Sequence, residues 1–206
     1  MMKIWGRSNS ANVQKVLWIA DELGLEYERE DVGGAFGRTK EPPFSDLNPN
    51  AVVPTLVEDD FVLWESNACT RFLANKYGKG TLAPTDLQDY ADADRWMDWQ
   101  QTTVLACMTP IFWGYVRTAE ADRDMAAIKA AEAKGLQIYS VLEKRLEGRD
   151  FIMGAHLTMA DIPVAIQAFR FKTLVKDRPG LGNFDAWVER CRQTKGFQNW
   201  IDKPLT

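Results

Sequence analysis

Apolar and polar residues change their rhythm partway along the chain. Residues 3–6 are a short apolar run that reads as a strand, and the polar stretch Arg7-Ser8-Asn9-Ser10-Ala11-Asn12 follows it. Val13, Val16, Leu17, Ala20 and Leu23 then recur at helical spacing, which predicts an amphipathic helix over 12–23 ended by Gly24. Residues 27–32 read as a second strand, so the start of the chain spells β-α-β with parallel strands and a right-handed crossover. An irregular segment rich in Gly and Pro fills 33–49, with a short helix near Phe44. Residues 54–58 and 61–64 predict a hairpin turning at Asp59-Asp60. Ser66 then reads as the cap of a helix carrying Cys69, Phe72, Leu73 and Tyr77 on one face.

Beyond this point the strand signal disappears. Residues 79–88 have the composition of a linker. Helical spacing returns over 89–107, with Trp96, Met97 and Trp99. It continues over 122–147, where Ile128, Ala131, Gly135, Ile138, Leu142 and Leu146 form a stripe stopped by Gly148. Thr158-Met-Ala-Asp161 has the spacing of a capping box and opens a buried helix through Ile162, Val164, Ile166 and Phe169. At least one more helix lies in 183–200. The pattern predicts an α/β domain over 1–78, a linker over 79–88 and an all-helical domain over 89–206.

Composition narrows the function. The net charge is −4 and no block of Lys and Arg stands out, so nucleic acid is not an expected partner. No apolar run reaches the ~18–20 residues of a membrane span. With no apolar segment of the signal-peptide kind near Met1, a cytoplasmic protein without a membrane partner is expected. Cys69, Cys107 and Cys191 are scattered without metal-ligand spacing and read as buried thiols. The lone histidine, His156, gives a Ser–His–Asp relay or a His-rich metal site little material, and no metal is expected.

The order β-α-β then β-β-α is similar to the thioredoxin-like fold, and an all-α domain behind it resembles the cytosolic glutathione S-transferases. Four local motifs carry that resemblance. Ser10-Ala-Asn-Val-Gln-Lys-Val16 resembles the Ser-centred loop and helix start of the serine-type classes, phi and theta-like bacterial members. Asn48-Pro49-Asn-Ala-Val-Val-Pro54-Thr-Leu56 resembles the family's segment ending in Val-Pro-x-Leu, where the proline is cis. Trp64-Glu65-Ser66 resembles the Glu-Ser pair that binds the γ-glutamyl group. Leu157-Thr158-Met-Ala-Asp161 resembles the helix-capping motif of the family's C-terminal core.

The resemblance implies a glutathione transferase, with glutathione as co-substrate, no further cofactor, a small electrophilic second substrate and a homodimer. Ser10 is the expected catalytic residue: a hydroxyl donor and a helix N-terminus both favour a thiolate over a thiol whose ordinary pKa is about 8.5. Asn12 and then Ser8 are the other candidates for the sulfur contact. The backbone of Val53, turned outward by Pro54, is expected to pair with the cysteinyl part of glutathione. Glu65 would take the γ-glutamyl ammonium and Ser66 its carboxylate. The glycyl carboxylate is left to Arg38, Thr39 or Lys40. Where some serine-type members carry Lys or Gln before the Val-Pro pair, this chain has Val52, and that polar contact is missing. Phe112 and Trp113 are the candidates for the electrophile site. Peroxide reduction by bound glutathione and a non-catalytic interaction scaffold are the competing readings.

Overall fold

The computed structural model describes all residues, Met1–Thr206. They fall into two compact units. One is Met1–Ala83 with Thr194–Lys203, and the other is Pro84–Gln193 with Pro204–Thr206. No helix is long and apolar enough to cross a membrane.

The first unit is built on a four-stranded sheet. Strand β1 (Met2–Trp5) leads into helix α1 (Ala11–Glu22), and β2 (Glu28–Glu30) follows parallel to β1. After a short helix α2 (Phe44–Leu47), β3 (Thr55–Glu58) and β4 (Phe61–Trp64) form the hairpin, and α3 (Ser66–Tyr77) closes the motif. The strand order is β2-β1-β3-β4, with β3 antiparallel to both neighbours. This is the thioredoxin-like topology anticipated from the sequence.

Alternation along the strands gives the sheet two covered faces. Trp5 and Val57 point to the face where Val32 and Phe44 pack. Ile4 and Leu56, both fully buried, point to the other, which α1 and α3 cover. Strand β2 is shorter than the 27–32 stretch predicted for it; around its end, Gly6 N–H donates to Glu30 O at 2.8 Å and Arg7 N–H to Val32 O at 3.1 Å, so this segment also holds the loop after β1.

The second unit is helical. Helix α4 (Leu87–Trp99) continues through a π-helical turn, Gln100–Val104, into α5 (Leu105–Phe112) and a second π-turn, Trp113–Arg117. Helical backbone thus runs well past the predicted end at 107, and Pro110 sits inside α5. Helices α6 (Met125–Arg145), α7 (Asp161–Leu174) and α8 (Gly182–Arg192) complete this unit. Tyr139 of α6 lies 4.8 Å from Phe171 of α7 and 4.9 Å from Phe184 of α8, between ring centroids.

The last helix, α9 (Lys195–Trp200), belongs to the first unit, although the sequence pattern leaves it with the helical domain. It docks on α1. Phe197 meets the fully buried Trp18 edge to face at 5.1 Å. Gln14 Nε2 donates to Trp200 O at 2.8 Å, Trp200 Nε1 to Asp21 at 2.8 Å, and Gly196 N–H to Glu22 at 2.8 Å. Periodicity marks α9 as a helix but carries no signal for its distant partner. Gly196 is the point of closest approach: a Cβ there would lie 2.6 Å from Trp18 O and 2.7 Å from Trp18 Cα. Backbone atoms cannot step aside, so Gly196→Ala is expected to destabilise the first unit by about 1–3 kcal/mol. Urea denaturation followed by tryptophan fluorescence measures it, and an unchanged midpoint would contradict this docking.

Candidate active site

The sheet brings the candidate segments to one end of the first unit. β1 ends at Trp5, which pairs with Glu30 at the end of β2 and with Thr55 at the start of β3. Thr55 in turn pairs with Trp64, the last residue of β4. The loop before α1, the segment 31–40, the Val53-Pro54 junction and the start of α3 therefore all leave the sheet at the same edge. Both long helices begin there, so their N-terminal amides and the positive ends of their dipoles face that edge.

Ser10 is the N-cap residue of α1, with extended dihedrals of φ −83° and ψ 123°. Its carbonyl accepts the first helical bond from Gln14 N–H at 2.8 Å. Its hydroxyl makes no capping bond to the helix. A serine in this position ordinarily gives its oxygen to the N–H of the second or third helical residue; here that oxygen is left for another partner. Asn12 sits exposed in the first turn of α1, and Ser8 is half-buried in the preceding turn.

The Val53–Pro54 peptide is cis, as is Pro42–Pro43. The Val53 side chain packs where Cβ atoms at Gly6 and Gly33 would meet it, at 3.2 and 3.3 Å. Since β3 begins at Thr55, the peptide groups of Val53 lie outside the sheet ladder. The buried Asn48 fixes the approach to this junction: its Nδ2 donates to Val52 O at 2.8 Å and to Thr55 Oγ1 at 3.1 Å, and its Oδ1 accepts from Asn50 N–H at 3.0 Å.

At the start of α3 the arrangement differs from the sequence reading. Glu65, not Ser66, is the N-cap residue, and it is held at φ 71°. That left-handed conformation costs a non-glycine residue about 1–3 kcal/mol and is concentrated at functional sites. Ser66 is the first helical residue, nearly buried, and its Oγ accepts a hydrogen bond from Lys15 Nζ at 3.2 Å. Nothing in the α1 periodicity points to Lys15, which lies off the Val13-Val16-Leu17-Ala20 stripe. It is buried because α1 is covered on more than one side: every residue from Val13 to Ala20 is buried.

Of the three residues proposed for the glycyl carboxylate, Arg38 is engaged elsewhere. Its guanidinium donates to Glu30 at 3.0 Å and also to Asp31 O. That bond holds the Glu30 carboxyl below its ordinary range. Thr39 is half-buried, with its Cγ2 beside Gly33, and Lys40 is exposed. In the second unit, Phe112 is half-buried, with the guanidinium of Arg170 4.3 Å from its ring centroid, while Trp113 is 61% exposed.

All three cysteines are buried, and none is in a disulfide. Burial pushes Cys69 up to about 12 and Cys107 up to about 11, so neither is a thiolate near neutral pH. No group of His, Cys, Asp and Glu is placed to hold a metal ion.

A thioredoxin-like sheet with a cis-proline at the head of β3, followed by a helical unit, defines a two-unit thioredoxin-like class of protein. Comparison with known proteins is more specific. The model of the glutathione S-transferase N-terminal domain matches residues 9–76, and that of the C-terminal domain matches residues 100–194. Glutathione S-transferase GstB of Escherichia coli strain K12 is 38% identical over 206 residues, covering 99% of this chain and 95% of that protein. Glutathione S-transferase D7 of Drosophila melanogaster is 31% identical over 89% of this chain and 81% of its own length. Among solved structures, the theta class glutathione S-transferase of Xanthomonas axonopodis pv. citri with glutathione bound superposes with a TM-score of 0.94. It is 40% identical and covers 100% of this chain and 99% of that one. The chain belongs to the glutathione S-transferase family and is a transferase enzyme.

Proposed function

We propose that this protein joins the thiolate of glutathione to an apolar electrophile, and that Ser10 supports the thiolate. The observation that carries this reading is the Ser10 hydroxyl. It stands at the mouth of α1 without a capping bond, on the sheet end that it shares with Val53, Glu65 and Ser66. A hydroxyl proton aimed at sulfur and the helix's positive end both favour the charged form. Ser10 acts as a hydrogen-bond donor, so no base has to deprotonate it. In this reading glutathione lies along the edge. Val53 pairs with its cysteinyl backbone as an added strand. Pro54 sets the turn, Glu65 takes the ammonium, and Ser66 with the α3 amides takes the γ-glutamyl carboxylate. With Arg38 committed to Glu30, Thr39 and Lys40 are the better supported partners of the glycyl carboxylate. Phe112 and Trp113 offer the electrophile an apolar wall, and Asn12 borders the sulfur.

Burial of all three cysteines, with Cys69 and Cys107 held as neutral thiols, favours transfer from bound glutathione over disulfide exchange through a thiol of the protein. The proposed assembly is a homodimer, as expected from the family, and light scattering reads it directly. Titration calorimetry with glutathione, followed by turnover of an activated chloronitroarene, tests the function. Binding at or below millimolar glutathione, with release of chloride, is expected. Absent binding at several millimolar would leave only a transferase-like scaffold.

A further inference from the structure

We infer that Lys15 is a positioning residue for the γ-glutamyl end of glutathione, acting through Ser66; this deepens the proposed function and rests on it. Lys15 lies little more than a turn beyond Ser10 on α1, and it is 1% exposed. Its ammonium reaches Ser66 Oγ at 3.2 Å. Because α1 and α3 pack side by side, this bond joins the two helices whose N-termini frame the site.

The direction of the bond is fixed by chemistry. An ammonium has three protons and no lone pair, so Ser66 oxygen must accept. The Ser66 proton is then left for a different acceptor. A carboxylate seated at the start of α3 is such an acceptor, and a hydroxyl whose oxygen already accepts from a cation is a stronger donor to it. The buried charge also adds to the field of the α3 amides, and it does so where solvent screens little. Lys15 need not touch the ligand: it orders the Ser66 hydroxyl and makes the pocket more positive. It should therefore govern ground-state recognition of one carboxylate and leave the sulfur chemistry alone.

The test compares glutathione with its analogue 4-aminobutyryl-cysteinylglycine, which lacks only the γ-glutamyl carboxylate. In the unaltered protein glutathione should bind the more tightly. In Lys15→Met, glutathione binding should weaken by roughly ten- to a hundredfold, the range of one charge-assisted hydrogen bond. Binding of the analogue should hardly change, so the discrimination between the two collapses. KM for glutathione should rise with kcat retained at saturation, and Lys15→Arg, which restores a cation, should recover most of the loss. Lys15→Gln removes the charge with a smaller change in polarity, and serves if the Met variant does not fold.

Equal discrimination in the unaltered protein and a folded Lys15→Met or Lys15→Gln would overturn the role of Lys15 while leaving the glutathione site intact. So would equal weakening of both ligands, the mark of a residue that only braces the helices. No glutathione binding by the unaltered protein would remove the site and this inference together.

Discussion

Ser10→Ala is expected to lower kcat/KM by about 10²–10³-fold, the usual effect of removing one preorganised donor to a developing anion. The loss should fall on kcat, because the binding contacts assigned to Val53, Glu65 and Ser66 lie elsewhere on the edge. Its pH dependence has a definite sign. A donor that favours the thiolate lowers the thiol pKa, and without it the pKa rises toward the free value of about 8.5. The variant should therefore be weakest relative to the native enzyme below pH 7 and should regain much of its deficit as pH rises past that value. Initial rates across that range check this. A Ser10→Ala enzyme with an unshifted profile would transfer the role to Asn12 or Ser8, the two neighbours with suitable side chains.

The second large effect concerns Asp161→Ala, which should destabilise the helical unit by about 3–5 kcal/mol. Asp161 is fully buried at the start of α7, and its carboxylate is the meeting point of four donors. Ile152 N–H at 2.8 Å and Trp187 Nε1 at 2.9 Å share one oxygen. Thr158 N–H at 2.9 Å and Thr158 Oγ1 at 3.1 Å share the other. Burial pushes the carboxyl pKa up, while these hydrogen bonds favour the ionised form. Alanine would strand all four donors in a dry interior. Asp161→Asn should do roughly half the damage, since its amide keeps one acceptor oxygen and turns an NH2 toward the other pair. Because Trp187 is itself a partner, urea unfolding followed by tryptophan fluorescence reads both the stability and the local change. A loss below about 1 kcal/mol for the alanine variant would show that this cluster does not anchor the unit.

Much of this was legible in the sequence because local pattern and tertiary outcome agree. The apolar stripe of α1, the hairpin turning at Asp59, and the Thr158–Asp161 spacing each encode what they become. The hidden features depend on contacts far apart in the chain. Helix α9 reads as one more helix of the second unit, and its contacts with α1, from the close approach of Gly196 to Trp18 to the Trp200–Asp21 bond, assign it to the first. Ser66 reads as a cap because serine caps helices, but Glu65 takes that place at a positive φ, and Ser66 is left to pair with Lys15. Lys15 itself is invisible to periodicity, which assigns a charged off-stripe residue to solvent. Arg38 had the right charge for the glycyl carboxylate; its engagement by Glu30 and Asp31 depends on how the loop folds back. The helical run beyond 107 passes through Pro110, a residue that ordinarily breaks a helix, and through the π-turn Trp113–Arg117, which leaves no mark in a pattern read at 3.6 residues per turn.

The central claim is that the chain holds glutathione sulfur as an anion at neutral pH with a serine hydroxyl. The most direct measurement is the ultraviolet thiolate absorbance of glutathione bound to the native protein, titrated with pH beside Ser10→Ala. The account predicts that the native complex ionises well below the free thiol and that the variant complex ionises close to it. Identical ionisation of the two complexes, with glutathione bound in both, would contradict it.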